Sequence, residues 1–181
     1  PATYDAAVLA AIARTAARRF GNRLVISAPD GTLTYAALDQ RADRVAAGLA
    51  QRRVSEGDVV ALVLPSGAMW LTAAVAASRL GATVAGISTV APATERAAQV
   101  ELVAPKLVLT TAATADGLPL RTDVVVTDPG SGPYPLADPE GQPPADAPPD
   151  PDRLAMICFT SGTTGTAKAA TFRERHLAEI R

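Results

Sequence analysis

The sequence predicts an α/β fold in which a mostly parallel β-sheet is flanked by helices. Between residues 59 and 110, short β-rich runs alternate with segments of helical periodicity, and the connections between them are short. This alternation is typical of βαβ units, whose right-handed crossovers place successive strands in parallel. The run 59–64 is apolar throughout and ends at Pro65, as expected of a parallel strand covered on both faces.

The chain opens with an alanine-rich amphipathic segment. Apolar residues spaced by four, including Ile12 and Phe20, predict a helix over residues 5–19. We expect this apolar face to lie on a sheet and the arginines, including Arg14, to face water.

A hairpin and a second helix follow. Two β-rich runs flank Asp30 and Gly31, which is a strong signal for an antiparallel hairpin. Thr34 is placed to cap a helix over residues 35–52. One face of this helix is apolar and the other is charged. The apolar face carries Leu38, Ala42, Val45 and Leu49, and the charged face carries Arg41, Asp43, Arg44 and Arg52.

The next elements alternate in type. A third helix with almost no charge begins at Ser66 or Gly67 and is stopped by Gly81, so we expect it to be heavily buried. A fourth helix is predicted over residues 93–103. Strands are predicted over residues 83–87, 106–110 and, more weakly, 123–126.

Residues 128–152 have a different composition. They contain nine of the 15 prolines and six acidic residues, but few large apolar groups. Such a segment buries too little surface to order itself, so we expect a long surface loop or tether. Because the acidic residues have no histidine partners, a solvated loop is expected rather than a metal site. The chain therefore divides into an α/β subdomain (1–127), this proline-rich acidic loop (128–152) and a final unit (153–181).

The overall composition excludes several classes of protein. Apolar residues make up 48% of the 181 residues and charged residues 19%, which is typical of a globular chain. The formal net charge of −1 provides no basic surface for nucleic acid. No apolar run approaches the roughly 20 residues needed to span a bilayer. Cys158 is the single cysteine, so no intrachain disulfide forms, and we expect a packed thiol in a cytoplasmic protein.

The final unit carries the strongest chemical signal. An apolar run at residues 154–157 leads into a loop of small residues, hydroxyls and two glycines that ends at Lys168. Backbone amides at glycines, hydroxyls and an ammonium are the donors of a phosphate-binding loop. The Walker pattern is absent because Ala167 and Ala169 flank the lysine, and no GxGxxG fingerprint occurs. Residues 168–172 are expected to form a return strand, followed by the start of a helix.

This loop resembles a known signature. The run Phe-Thr-Ser-Gly-Thr-Thr-Gly-x-x-Lys from Phe159 to Lys168 is similar to the phosphate-binding motif of the adenylate-forming enzymes. The family commonly has Pro and Gly where this chain has Ala167 and Ala169. The segment from Leu33 to Leu38 resembles a second family pattern, Leu-[Ser/Thr]-Tyr-x-x-Leu. The resemblance implies the N-terminal part of the large domain of such an enzyme.

The resemblance also implies a reaction. The full-length enzyme is expected to be an AMP-forming acyl- or aryl-CoA ligase, which joins a small carboxylic acid to ATP, forms an acyl-adenylate and releases pyrophosphate. The acyl group then passes to the thiol of coenzyme A or of a carrier-protein phosphopantetheine. Mg²⁺ is expected to bridge the phosphate oxygens. The residues implied to bind the phosphates are Thr160, Ser161, Gly162, Thr163, Thr164, Gly165 and Lys168.

Two alternatives remain open beside the ligase. One is an adenylation domain that loads a carrier protein, and the other is a non-catalytic nucleotide-binding or interaction fragment. The resemblance covers about the first third of a complete enzyme and includes none of the later family motifs. The catalytic residues are therefore unassigned, and we expect the chain alone to be an N-terminal fragment without ligase turnover. The C-terminal remainder of the enzyme is its expected partner.

Overall fold

The structure is a computed structural model that describes residues 9–119, 123–127, 136, 138, 141–160 and 168–179. Its helices are α1 (Leu9–Phe20), α2 (Tyr35–Gln51), α3 (Ala68–Arg79), α4 (Ala93–Val103) and α5 (Glu174–Ala178). Its strands are β1 (Leu24–Ala28), β2 (Gly31–Thr34), β3 (Val59–Val63), β4 (Thr83–Gly86), β5 (Leu107–Thr110), β6 (Asp123–Val126), β7 (Leu154–Thr160) and β8 (Lys168–Arg173). A short 3₁₀ helix, Ala112–Thr114, follows β5.

The main sheet has six strands in the order β6-β5-β3-β4-β7-β8. All neighbouring pairs are parallel except β7 with β8, which is antiparallel. Strands β1 and β2 form a separate antiparallel hairpin, which confirms the prediction around Asp30. The predicted α/β fold with a mostly parallel sheet is therefore confirmed.

The two faces of the sheet are covered unequally. Because successive residues of a strand point to opposite faces, Val60 and Leu62 join one core cluster while Ala61 and Val63 join another. The first cluster is the larger and includes residues of α1, α2 and α3. The second is smaller and receives Val100 from α4. The apolar face predicted for α2 is confirmed, since all four of its residues are buried.

Helix α1 differs from the sequence prediction. It packs mainly on α2 and α3 rather than on a sheet, and its buried residues are Ala10 and Ala13. Ile12, predicted to face inward, is 45% exposed. The helix is rotated relative to the prediction because in an alanine-rich segment several faces are nearly equal in apolarity, and packing on two helices favours the smallest side chains.

The β1–β2 hairpin also closes a helix end. Asp30 lies in the turn, and its carboxylate accepts hydrogen bonds from the backbone amides of Ala68 at 2.9 Å and Met69 at 2.8 Å. These amides belong to the first turn of α3, where donors have no partner within the helix. A Cβ added at Gly67 would lie 2.4 Å from the Asp30 carboxylate, so a side chain there would displace that carboxylate from the two amides.

The described part of the proline-rich segment contains no helix or strand but is packed against the helices. Leu136 is 5% exposed, and a Cβ added at Gly48 of α2 would lie 1.5 Å from its carbonyl oxygen. The amide of Ala147 donates to the Arg79 carbonyl at 2.7 Å. The division of the chain at residues 127 and 152 remains a prediction.

A network of five charged residues joins this segment to the helices. We call it the Arg79 network; its members are Arg14, Asp39, Asp43, Arg79 and Asp146. Its centre, Arg79, is fully buried and donates to the carboxylates of Asp39 and Asp43 at 2.5 Å each. Arg14 and Asp43, predicted to face water, instead pair with each other at 2.8 Å.

The charges of the Arg79 network shift several pKa values. Burial lowers the pKa of Arg79, and the negative charge of Asp43 raises it by less. The hydrogen bond to Asp146 raises the pKa of Arg14, and the same bond lowers the pKa of Asp146.

The described helices include none long and apolar enough to cross a membrane.

Candidate functional site

The loop predicted to bind phosphates is carried by the β7–β8 hairpin. The two strands pair antiparallel. The pairing begins with Leu154 opposite Arg173 and ends with Thr160 opposite Lys168. The Thr160 hydroxyl donates to the Lys168 carbonyl oxygen at 3.3 Å. The ends of the predicted loop are therefore held side by side. Ser161, Gly162, Thr163, Thr164 and Gly165 lie outside the described residues, so their part in the site remains a prediction.

The position of this hairpin in the sheet suits a binding site. β7 is parallel to β4, and Cys158 lies opposite Gly86 at the end of β4. Thr160 therefore lies at the edge where the parallel strands have their carboxyl ends. In open α/β sheets, ligands bind in the crevice outside this edge.

At the opposite end of the hairpin a second arginine, whose side chain is 7% exposed, binds two carboxylates. Arg153, just before β7, donates to Glu174 of α5 at 2.9 Å and to Glu56 at 2.5 Å. Glu174 is 2% exposed and also accepts from the amide of Asp150 at 2.9 Å. We call Glu56, Arg153 and Glu174 the Arg153 network. Burial by itself lowers the pKa of Arg153, but the hydrogen bonds to Glu56 and Glu174 outweigh it and raise that pKa.

Helix α5 begins at the Arg153 network. The amide of Arg173 donates to His176 Nδ1 at 3.0 Å, so the imidazole caps the first turn of the helix. The pairing of Arg153 with Glu174 has no local sequence signal, because the two residues lie on opposite sides of the hairpin and 21 positions apart.

A cleft opens between α4 and the end of β7. Its volume is about 470 Å³, and we call it the α4 cleft. It is lined by Gly86, Ser88, Val90, Ala91, Glu95, Gln99, Cys158, Phe159 and Thr160. Cys158 is half-buried on its wall rather than packed in the core as predicted, and burial raises the pKa of its thiol.

The family assignment rests on most of the chain. A family model described as "AMP-binding enzyme" matches residues 13–179. The chain belongs to this family. The resemblance seen in the loop from Phe159 to Lys168 is thereby confirmed, and the AMP-binding match also includes most of α1 and all of α2 to α5.

Individual relatives are consistent with this assignment. An isonitrile lipopeptide synthase of Streptomyces coeruleorubidus is 34% identical over 173 residues, which are 96% of this chain and 12% of that protein. A 3-[(3aS,4S,7aS)-7a-methyl-1,5-dioxo-octahydro-1H-inden-4-yl]propanoyl:CoA ligase of Rhodococcus jostii is 31% identical over 198 residues, covering 92% of this chain and 38% of that protein. The chain thus spans well under half the length of either relative.

A solved structure shows the same fold. The N-terminal subdomain of Klebsiella oxytoca NpsA, in complex with 3-hydroxyanthranilyl-AMSN, superposes with a TM-score of 0.80 at 19% identity. The match covers 98% of this chain and 44% of the NpsA chain. It confirms that the mostly parallel sheet is that of the N-terminal domain of adenylate-forming enzymes.

Proposed function

We propose that this chain forms the phosphate-binding wall of an ATP-dependent carboxylic acid–CoA ligase. In the first step an oxygen of the carboxylate attacks the α-phosphorus of ATP, the bond to the β-phosphate oxygen breaks, and pyrophosphate leaves. In the second step the sulfur of a thiol, which gives up its proton to solvent, attacks the acyl carbon, the bond from that carbon to the phosphate oxygen breaks, and AMP leaves. The observation that carries this proposal is the pairing of Thr160 with Lys168 at the carboxyl edge of the sheet.

The residues of the loop fit the phosphates of ATP by their chemistry. Thr160 and Lys168 are both exposed, so a hydroxyl and an ammonium are available at the two ends of the loop. Between them the sequence adds four hydroxyls and two glycines, whose amides approach anions closely. We infer that these groups neutralise charge on the leaving pyrophosphate, which stabilises the transition state. Mg²⁺ bound to the phosphate oxygens would supply further positive charge.

The acceptor of the acyl group is a thiol, either that of coenzyme A or that of a carrier-protein phosphopantetheine. A CoA ligase and a lipopeptide synthase are both among the relatives, so coenzyme A and a carrier-protein phosphopantetheine each have support. The Thr163-Thr164 pair slightly favours the CoA ligase. An adenylation domain that loads a carrier protein remains the alternative, and a non-catalytic nucleotide-binding fragment is the second.

We further infer that the 181-residue chain does not turn over alone and needs the remainder of the enzyme as its partner. The support for this is that the chain spans 44% of the NpsA chain, whose fold it shares. The cytoplasmic location stays a prediction.

The chain contains two lysines, and they provide a matched test. Lys168→Ala is expected to weaken MgATP binding by about tenfold or more, because a charge-assisted hydrogen bond is lost. Lys106→Ala, an exposed site just before β5, is the control and is expected to leave binding unchanged. Isothermal titration calorimetry measures both. Equal MgATP affinity of Lys168→Ala and the wild type would refute the phosphate site.

A second measurement tests turnover. Carboxylate-dependent exchange of pyrophosphate into ATP is expected to be no higher for the 181-residue chain than for its Lys168→Ala variant. Exchange above that level would show that the chain is active without a partner.

A further inference from the structure

We propose that the α4 cleft binds a small molecule that has a primary ammonium group and an apolar body about the size of one ring. This site adjoins the loop from Thr160 to Lys168 and shares Thr160 with it, but its other lining residues lie outside that loop. The volume of about 470 Å³ lies within the range of small-molecule sites. The ligand class follows from the charges, hydrogen bonds and apolar surfaces of the cleft wall.

The charged group of the cleft is a carboxylate. Glu95, in the first turn of α4, lines the cleft and is exposed. Among the residues that the structure describes, no lysine or arginine lines the cleft. The neighbouring Arg96 is buried and donates from Nη1 to the Ala91 carbonyl at 2.6 Å. Glu95 therefore favours a cation in the cleft, and the hydroxyls of Ser88 and Thr160 add hydrogen-bond acceptors.

Gln99 positions this carboxylate. Its Nε2 donates to Glu95 Oε1 at 2.9 Å, one helical turn away. The orientation of the Gln99 side-chain amide follows from this bond. If the amide were flipped, its oxygen rather than its NH₂ group would face the Glu95 carboxylate, and two acceptors would meet. As a result Gln99 Oε1 is buried and has no hydrogen-bond partner in the described part of the chain. A buried unpaired acceptor is unfavourable for folding, so this arrangement holds Glu95 at a cost in stability.

The remaining wall suits an apolar body. Phe159 contributes a half-buried aromatic ring, and Val90 is 92% exposed beside it. A ring that covers these side chains removes apolar surface from water, which favours binding. The ammonium group would then lie toward Glu95 and the ring toward Phe159.

Cys158 gives a direct readout of occupancy, because it lines the cleft and is the single cysteine of the chain. Alkylation of its thiol by iodoacetamide is followed by mass spectrometry while benzylamine, benzoate or 4-(aminomethyl)benzoate is added. We expect benzylamine to slow alkylation and benzoate to leave it unchanged. Stronger protection by 4-(aminomethyl)benzoate than by benzylamine identifies the ammonium as part of a carboxylic acid ligand. Equal protection identifies a separate amine.

Variants of α4 separate binding from folding. Glu95→Gln is expected to raise the benzylamine concentration needed for half-protection by about tenfold. Glu101→Gln, exposed on the same helix and outside the cleft wall, is the control and is expected to match the wild type. Gln99→Met is expected to weaken protection as well, while its melting temperature is equal to or above that of the wild type, because the unpaired acceptor is removed.

Three outcomes would overturn the proposal: equal protection by benzylamine and benzoate, no protection by any of the three, or unchanged protection in Glu95→Gln. A lower melting temperature of Gln99→Met would show that Gln99 serves the fold alone. The proposed function is tested separately, since MgATP binding that depends on Lys168 stands whether or not the α4 cleft binds an amine.

Discussion

Arg79 and Arg153 each bind two carboxylates through a side chain that is largely covered, but their partners lie in different parts of the molecule. The Arg79 network joins α1, α2 and α3 to the proline-rich segment. The Arg153 network joins the start of β7 to α5 and to Glu56 in the turn before β3. The first therefore holds the helix layer together, and the second holds the base of the hairpin whose other end carries the loop. The same chemistry stabilises the fold in one place and the site in the other.

The largest expected effect is on the Arg79 network. Arg79→Met removes the buried cation and leaves Arg14 as the remaining cationic partner of Asp39 and Asp43. We expect a loss of about 3 kcal/mol in the free energy of unfolding. This value lies at the lower end of the losses seen when a buried ion pair is broken, because both carboxylates are partly exposed. Urea denaturation followed by circular dichroism measures it.

The control for that variant is Arg52→Met, which breaks an exposed pair with Asp123. A loss of at most about 1 kcal/mol is expected there. If Arg79→Met were no more destabilised than this control, the buried network would contribute little to stability. MgATP affinity is expected to be unchanged in folded Arg79→Met.

A smaller loss of stability but a larger effect on the site is expected at the Arg153 network. Glu174→Gln keeps the shape of the side chain but removes its charge, which weakens the bond from Arg153. We expect a loss of about 1–2 kcal/mol. We also expect weaker MgATP binding, since the base of the β7–β8 hairpin loosens.

Glu179→Gln, an exposed site at the end of α5, provides the matched control and is expected to change neither quantity. Calorimetry and urea denaturation of the same samples give both values. Unchanged MgATP affinity in Glu174→Gln would show that the Arg153 network does not influence the loop.

The smallest expected effect is a pH dependence within the Arg79 network. The pKa of Asp146 is lowered in the folded chain by its bond to Arg14, so the charged form is favoured by folding. This contribution is fully present above the usual pKa of an aspartate and is lost as the pH falls through the lower, folded-state value. Asp146→Asn is therefore expected to be slightly less stable than the wild type at neutral pH, and the gap is expected to close below about pH 4. Thermal unfolding from pH 3 to 7 checks this; a gap as large at pH 3 as at pH 7 would assign it to another cause.

Most of the fold was predictable because its elements have local signals. The apolar run of β3, the Thr34 cap and the inward face of α2 each lie within one stretch of sequence, and all three are confirmed. The Thr34 hydroxyl accepts from the Ala37 amide at 3.1 Å. Helix α1 was oriented wrongly because its alanines permit several inward faces, and the partners that decide among them lie on α2 and α3.

The site was predictable to a different extent. The loop from Phe159 to Lys168 carries a contiguous motif, so its resemblance to the family could be read from the sequence, and the family match confirms that resemblance. The roles of the individual loop residues remain proposals. The Arg153 network and the Glu95–Gln99 pair had no such signal. Charged residues that meet only through the tertiary fold, as Arg153 and Glu174 do, look like ordinary surface residues in the sequence.

The bond between Arg14 and Asp146 has a consequence for the order in which the chain assembles. The two residues are 132 positions apart, so at roughly 5–20 residues per second they leave the ribosome about 7–26 s apart. During that interval the carboxylates of α2 are the partners available to Arg14. We therefore expect α1, α2 and α3 to pack together during translation, and the proline-rich segment to pack against them afterwards.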